Sequence, residues 1–372
     1  MRTSLAIPLA AIIFTAFAAS ALAQTPDPAK WAEVQRKAKE EGQVVVIGPA
    51  APGLRSGLIA AFKDRYGIEL NYLGLNPGEA IARIDTESKA GKVTIDNYLG
   101  GSSSCWAMSP RGEIENINGK IIDPDVLQPS VWRSGKLKFN EAGPMDNPPA
   151  DYRCSLQTAE WVMTDLFVNT SMIKKDEITS WKDLLKPQYK GKIAAYDPRR
   201  SGPGQTPVGY LAALFGDAYL KDLYVGQDIK LTADNRQLAE WVARGEYPIG
   251  IALVQFAVEI YRKQGLPIER IYPQDGQGSL TGGFSVVMII KNAPHPNAAQ
   301  LFVNWFATKE AQTIYENEMM ETSLRTDIVG TNLPDYVRPK PGVAYPVDDY
   351  SYEHYSKIRN PAVQVLSKEL ER

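Results

Sequence analysis

Histidine is nearly missing from this chain: of 372 residues only His295 and His354 carry an imidazole. A catalytic base or a metal site built on histidine therefore has almost no material. His295 stands in "NAPHPNAAQ", at a helix start, where capping or surface exposure is the simplest role. Cysteine is equally scarce, with Cys105 and Cys154 alone. Neither sign of charge is in excess, since 41 basic residues face 43 acidic ones, so there is no basic field for nucleic acid. No G-x-S-x-G elbow, P-loop or G-x-G-x-x-G is found; "GGSSS" (100–104) shares their glycines and serines but not their spacing. Carboxylates are plentiful, yet no pair stands out as an acid and base. These absences leave little to support an enzyme.

Long apolar runs are confined to the first residues. "MRTSLAIPLAAIIFTAFAASALAQ" joins Arg2 to an apolar stretch ending in Ala21-Leu22-Ala23, a small-x-small cleavage pattern, which predicts an export signal over 1–23 cut after Ala23. Gln24 follows, so no lipid-bearing cysteine begins the mature chain, and nothing later reaches the eighteen-residue apolar length of a spanning helix. Removing the leader takes away only Arg2 among the charged residues. Export places the protein in an oxidising compartment, where one Cys105–Cys154 disulfide is the natural expectation and two buried free thiols are the alternative. Roughly 350 mature residues exceed what one core usually serves, so two lobes are expected.

What the sequence does contain is a repeated alternation. "DPAKWAEVQRKAKEEG" predicts a helix with Asp27 as N-cap, Pro28 in the first turn and Gly42 as its stop. Val44 to Ile47 is apolar throughout, as in a strand covered on both faces. Leu58, Ile59, Phe62 and Tyr66, then Ala80, Ile81 and Ile84, mark two further helices, each followed by a strand segment, "IELNYLGL" and "VTIDNYLGG". "AEWVMTDLFVNT" reads as one strand, and "SWKDLLKPQYKGK" as a polar link. A second alternation follows: "KIAAYDP", a helix through Val208, Leu211, Ala212 and Phe215 ending at Gly216, "IKLTAD", a helix through Leu238, Trp241 and Val242, and "YPIGIALV". "GGFSVVMII" returns as an apolar strand. "NAAQLFVNWFATKEAQ" places Ala298, Leu301, Phe302, Trp305 and Phe306 on one helical face. Trp241 and Trp305, at helical spacing, are expected in the core.

Ligands in open α/β sheets bind beyond the carboxyl ends of the strands. Those ends are "GPAAPGL" (48–54), "LNPGE" (75–79), "GGSSS" (100–104), "DPRRSGPGQ" (197–205) and "LVQF" (253–256), most of them rich in Gly, Pro, Ser or Asn. The candidate ligand-binding residues at or near them are Ala51, Arg55, Asn76, Gly101, Ser102, Ser103, Arg199, Arg200, Ser201 and Gln255, with Thr281 before the returning strand. Arg199 and Arg200 stand between a strand end and a helix starting near Gln205. Either they hold an anion beside the free N–H groups of that helix, or they belong to a solvated turn. Tyr345, Tyr350, Tyr352 and Tyr355 offer iron-binding phenolates or a carbohydrate platform; the simpler reading is a tail packed on the surface.

Three blocks in order, "SWKDLLKPQYKGKIAAYDP", "LAEWVARGEYPIGIALV" and "GGFSVVMIIKNAPHPNAAQLFVNWFATKEAQ", make the chain resemble the periplasmic substrate-binding proteins of bacterial ABC importers, in the group that includes the iron(III)-type and related family 1 solute-binding proteins. The resemblance implies an α/β fold of the two-lobed type II periplasmic-binding-protein kind, each lobe a mixed sheet flanked by helices, with the ligand in a cleft that closes by hinge motion. It divides the chain into leader 1–23, lobe one at 24–165, lobe two at 166–279, and lobe one again with a C-terminal extension at 280–372. "WVMTDLFVNT" carries the chain out of lobe one, "GGFSVVMII" brings it back, and the C-terminal helices complete lobe one. The implied partners are a small-molecule ligand and the permease subunits of an ABC transporter, in the periplasm and as a monomer. Iron-binding members carry adjacent tyrosines near the region of "YPIGIALV", where this chain has Gln255 and Phe256. The expectation is therefore a small polar organic solute bearing a carboxylate, phosphonate or phosphate, with no metal and no cofactor. A ferric-iron binder, a ligand-sensing subunit and an exported enzyme on a two-lobed scaffold are the alternatives.

Overall fold

The computed structural model describes residues 26–141, 151–163, 166–276, 278–329, 333–345 and 352–371. The expected leader, its cut after Ala23, and Tyr350 lie outside the described residues.

Helix α1 (Pro28–Glu41) starts and stops as its sequence dictates: the Asp27 carboxylate accepts from the Lys30 N–H at 3.0 Å, and Gly42 closes it in the left-handed region at φ 74°. Then come β1 (Gln43–Gly48), α2 (Pro52–Tyr66), β2 (Glu69–Gly74), α3 (Pro77–Lys89), β3 (Asn97–Gly100), the short α4 (Ser102–Met108), β4 (Lys138–Glu141) and β5 (Arg153–Gln157). The stretch read as one strand over 159–170 is two, β6 (Trp161–Met163) and β7 (Leu166–Asn169), which belong to different sheets. Next are β8 (Ile193–Tyr196), α5 (Gln205–Lys221), β9 (Lys230–Thr232), α6 (Asn235–Arg244), β10 (Ile249–Ile251), α7 (Gln255–Arg262) and β11 (Ile268–Arg270). The return is made by β12 (Ser279–Thr281) and β13 (Val286–Ile289), followed by α8 (Pro296–Phe306) and α9 (Lys309–Met319). The single helix expected over 297–312 breaks because the Thr308 side chain accepts from the Ala311 N–H and starts α9 anew. The expected polar link 180–192 is anchored instead, with Trp181, Leu184 and Tyr189 buried.

The lobe-one sheet runs β2-β1-β3-β13-β5-β4. β1 pairs in parallel with β2 and β3, whereas β13 inserts antiparallel between β3 and β5. The lobe-two sheet runs β11-β7-β10-β8-β9, parallel from β10 through β9. Between the two sheets β6 and β12 pair antiparallel, Trp161 opposite Thr281 and Met163 opposite Ser279, and form the two-stranded crossing. Lobe one is stabilised by an aromatic cluster in which Trp305 lies 5.0 Å and Phe302 5.9 Å from the Phe62 ring. Trp305 is fully buried, so its truncation to alanine would cost about 3–5 kcal/mol. Trp241 is only half-buried and meets the Tyr247 ring at a tilt, with centroids 5.3 Å apart. Cys105 on α4 and Cys154 on β5 are disulfide-bonded, their Cα atoms 5.8 Å apart. The terminal helix Asn360–Leu370 does not complete lobe one as expected but packs on α5 of lobe two, burying Ala362, Val363 and Leu366, with Lys221 and Glu369 paired at 2.9 Å.

Candidate functional site

A cleft opens between the lobes beside the β6/β12 crossing. Its wall from lobe one is Pro77 at the start of α3, Gly101, Ser103 and Ser104 after β3, and Gly283, Phe284 and Glu321. Its wall from lobe two is Ser201, Gly202, Pro203 and Thr206 after β8, with Val254 just after β10. Trp161, Met163 and Thr281 form the floor, and Arg359 joins from the C-terminal segment. The cleft thus lies beyond strand ends, where open α/β sheets bind ligands.

Local geometry explains the residue types. The chain folds so tightly over the end of β8 that a Cβ on Gly204 would lie 2.4 Å from the Tyr196 carbonyl oxygen. This contact fixes the loop 201–203 and the start of α5. Gly283 sits at φ 53°, and a Cβ there would lie 2.4 Å from Glu321 Oε2, so glycine is demanded both by the backbone and by the carboxylate beside it. The Thr281 hydroxyl oxygen accepts from the Gly283 N–H at 3.1 Å and holds this turn against the floor. The two lobes also touch through Phe256 and Phe284, whose rings meet edge to face with centroids 6.2 Å apart.

Two buried charges face this space, Arg359 at 2% exposure and Glu321 at 2%. Glu321 accepts from the Tyr315 hydroxyl, and burial together with that carboxylate holds the Tyr315 phenol well above its ordinary value. Helices α5 and α7 begin beside the cleft on Gly204 and Val254 with no side-chain cap, as α2 does on Ala51 away from it, whereas α1, α6 and α9 are capped by Asp27, Asp234 and Thr308. Within the first turns of α5 and α7 the Gln205 N–H donates to the Gly202 carbonyl and the Ala257 N–H to the Val254 carbonyl, and Pro207 has no N–H, so the Thr206, Gln255 and Phe256 N–H groups are the ones that could turn to another acceptor. Among the described residues no group of three His, Cys, Asp or Glu side chains is placed to hold a metal ion.

The candidates from the sequence divide clearly. Gly101, Ser103, Ser201 and Thr281 come together in the cleft lining. Ser102, one residue away, is fully buried and its hydroxyl accepts from Asn140 at 2.7 Å. Ala51 is buried at the start of α2, and Arg55 is exposed on the same helix. Asn76 precedes α3, its N–H donating to the Glu79 carboxylate at 3.2 Å. Gln255 is buried on α7 and donates to Glu259 at 2.7 Å. Arg199 turns back on Asp197, donating through Nε at 2.9 Å and Nη2 at 2.7 Å, and Arg200 is exposed. Neither arginine is among the cleft-lining residues. Burial opposes ionisation of Asp197, but the Arg199 guanidinium and N–H outweigh it and hold the carboxyl below its usual value. Sequence reasoning missed Trp161, Met163, Glu321 and Arg359. Each comes from a segment whose local pattern names no ligand site.

Residues 57–322 match the family model of the bacterial extracellular solute-binding proteins. Over 318 residues the chain is 21% identical to spermidine/putrescine-binding periplasmic protein 1 of Haemophilus influenzae, covering 81% of each chain. It is 21% identical over 255 residues to a putative 2-aminoethylphosphonate-binding periplasmic protein of Salmonella typhi, covering 66% of this chain and 74% of the relative. Among solved structures, the periplasmic binding protein AfuA of Actinobacillus pleuropneumoniae, with exogenous fructose-6-phosphate bound, superposes with a TM-score of 0.70 at 22% identity, covering 89% of this chain and 98% of that one. These relatives are binding proteins of transporter systems, not enzymes. With its two lobes, its double-stranded crossing and a cleft between them, the chain belongs to the bacterial extracellular solute-binding protein family.

Proposed function

We propose that this protein captures one small polar organic solute bearing a carboxylate, phosphonate or phosphate in the periplasm and delivers it to the permease of an ABC importer. In this reading the leader is removed after Ala23, the monomer is the working unit, and residues 166–279 close against 24–165 and the returning chain. The observation that carries the sign of the ligand is the set of donors around the cleft: the uncapped starts of α5 and α7, the hydroxyls of Ser103, Ser201 and Thr206, and the Arg359 guanidinium. The relatives leave that sign open, because their names span a polyamine, a phosphonate and a sugar phosphate. Glu321 faces the same space and suits a hydroxyl or ammonium group elsewhere on the solute. Among the described residues the lining holds one carboxylate and no tyrosine, a poor match to the anionic oxygen set that suits ferric iron.

Native mass spectrometry of freshly purified protein, followed by a thermal-shift screen of anionic and cationic solutes, tests this. A ligand at a hundredfold its dissociation constant stabilises by about 2.7 kcal/mol. Stabilisation by phosphorylated or carboxylated solutes is expected. Stabilisation by polyamines alone would sink the anionic reading.

A further inference from the structure

The C-terminal segment lies beyond the family-matched residues 57–322, yet it touches both lobes and the cleft. Its terminal helix is packed on α5 of lobe two. Just upstream, Tyr355 and Tyr352 lie with ring centroids 5.0 and 6.0 Å from Trp106 on α4 of lobe one, next to the Cys105 disulfide. Between these anchors is Arg359, its guanidinium 4.8 Å from the Tyr355 ring centroid. The Arg359 stem runs over α5 where Gly209 has no side chain, since a Cβ on Gly209 would lie 2.8 Å from Arg359 Cβ. That close approach steers a long side chain into the cleft lining rather than into solvent.

The two anchors are unequal. Toward lobe two the segment offers a packed helix and an ion pair; toward lobe one it offers an aromatic contact. We infer that it is a strap across the cleft: Arg359 binds the anionic group of the solute, and Tyr352 with Tyr355 seats on Trp106 to hold the closed, occupied form. This rests on the anionic-solute reading and adds the residue that grips the anion and the contact that slows its release.

The test uses the full exported chain with fructose 6-phosphate, 2-aminoethylphosphonate and inorganic phosphate as probes. Calorimetry on Arg359→Gln should show at least tenfold weaker binding of whichever probe the wild type takes, with Arg359→Lys recovering part of the loss because it keeps the charge but not the planar fork. In stopped-flow release experiments Tyr352→Leu/Tyr355→Leu should dissociate the probe at least fivefold faster with an association rate within twofold of wild type. That split separates a strap from a general loss of stability, which circular dichroism and melting curves report independently. Folded Arg359→Gln protein binding within twofold of wild type overturns the assignment of Arg359 while leaving the anionic reading intact. An unchanged release rate in the tyrosine variant overturns the strap. Wild-type protein that polyamines alone stabilise and that binds none of the three probes overturns the anionic reading and this inference together.

Discussion

Breaking the Cys105–Cys154 link should show how much of lobe one depends on a single covalent tie. The bond closes a loop with a sequence separation of 49 residues and joins α4 to β5. In the chain-entropy account a loop of that length removes about 14 cal/mol/K from the unfolded ensemble, or about 4 kcal/mol at 25 °C. That figure is a ceiling, because unfolded chains retain some compactness, so a loss of about 2–4 kcal/mol is expected for Cys105→Ala/Cys154→Ala. With a slope near 3 kcal/mol/M in urea this corresponds to a midpoint roughly 1 M lower. Because α4 carries Ser103 and Ser104 into the cleft and Trp106 against the terminal tyrosines, hydrogen exchange should quicken first in Ser102–Met108 and Arg153–Gln157. The assay is urea denaturation of the oxidised, reduced and double-alanine proteins, with intact-mass measurement after alkylation. Two alkylated thiols in unreduced, denatured wild type would refute the reasoning, and so would midpoints that agree within about 0.3 M, roughly 1 kcal/mol on the same slope.

Gly204→Ala should destabilise by about 1–3 kcal/mol and weaken ligand binding, because its new Cβ meets the backbone carbonyl of Tyr196 and must displace the loop that lines the cleft; melting curves with calorimetry check both. Arg199→Ala and Arg200→Ala should each leave affinity within threefold of wild type, since Arg199 is held by Asp197 and neither side chain lines the cleft; a larger loss in either folded variant would return an anion-binding role to that residue. Asp197 has a folded pKa below its ordinary 3.8, so its contribution is full above the unfolded value and disappears as pH falls through the folded one. The melting-temperature gap between wild type and Asp197→Asn should accordingly be constant above about pH 5 and narrow below it, and a gap that widened in acid would reverse that sign.

The signals that were local in sequence carried through. Asp27, Pro28 and Gly42 bound α1 because caps and stops act within one turn, and the unbroken apolar run of β1 marked a strand covered on both faces. Trp305 and Phe302 were legible as core because a buried helical face repeats every three to four residues. The sequence by itself therefore determined two α/β runs, strand ends rich in small residues, and four residues that reach the cleft: Gly101, Ser103, Ser201 and Thr281. Tertiary structure decided the rest. The sequence from Trp161 to Asn169, apolar on either side of Thr164-Asp165, does not say which sheet each half joins, because a buried strand looks the same whichever sheet receives it. Arg199 had a competing acceptor two residues upstream, and the short path to Asp197 took its guanidinium from the cleft. Trp161, Glu321 and Arg359 are separated by 160 residues and by 38 more in the sequence. Only the pairing of β6 with β12, the return of the chain into lobe one and the packing of the terminal helix on α5 bring them to one space, since nothing in the sequence around any one of them encodes the distance to the others.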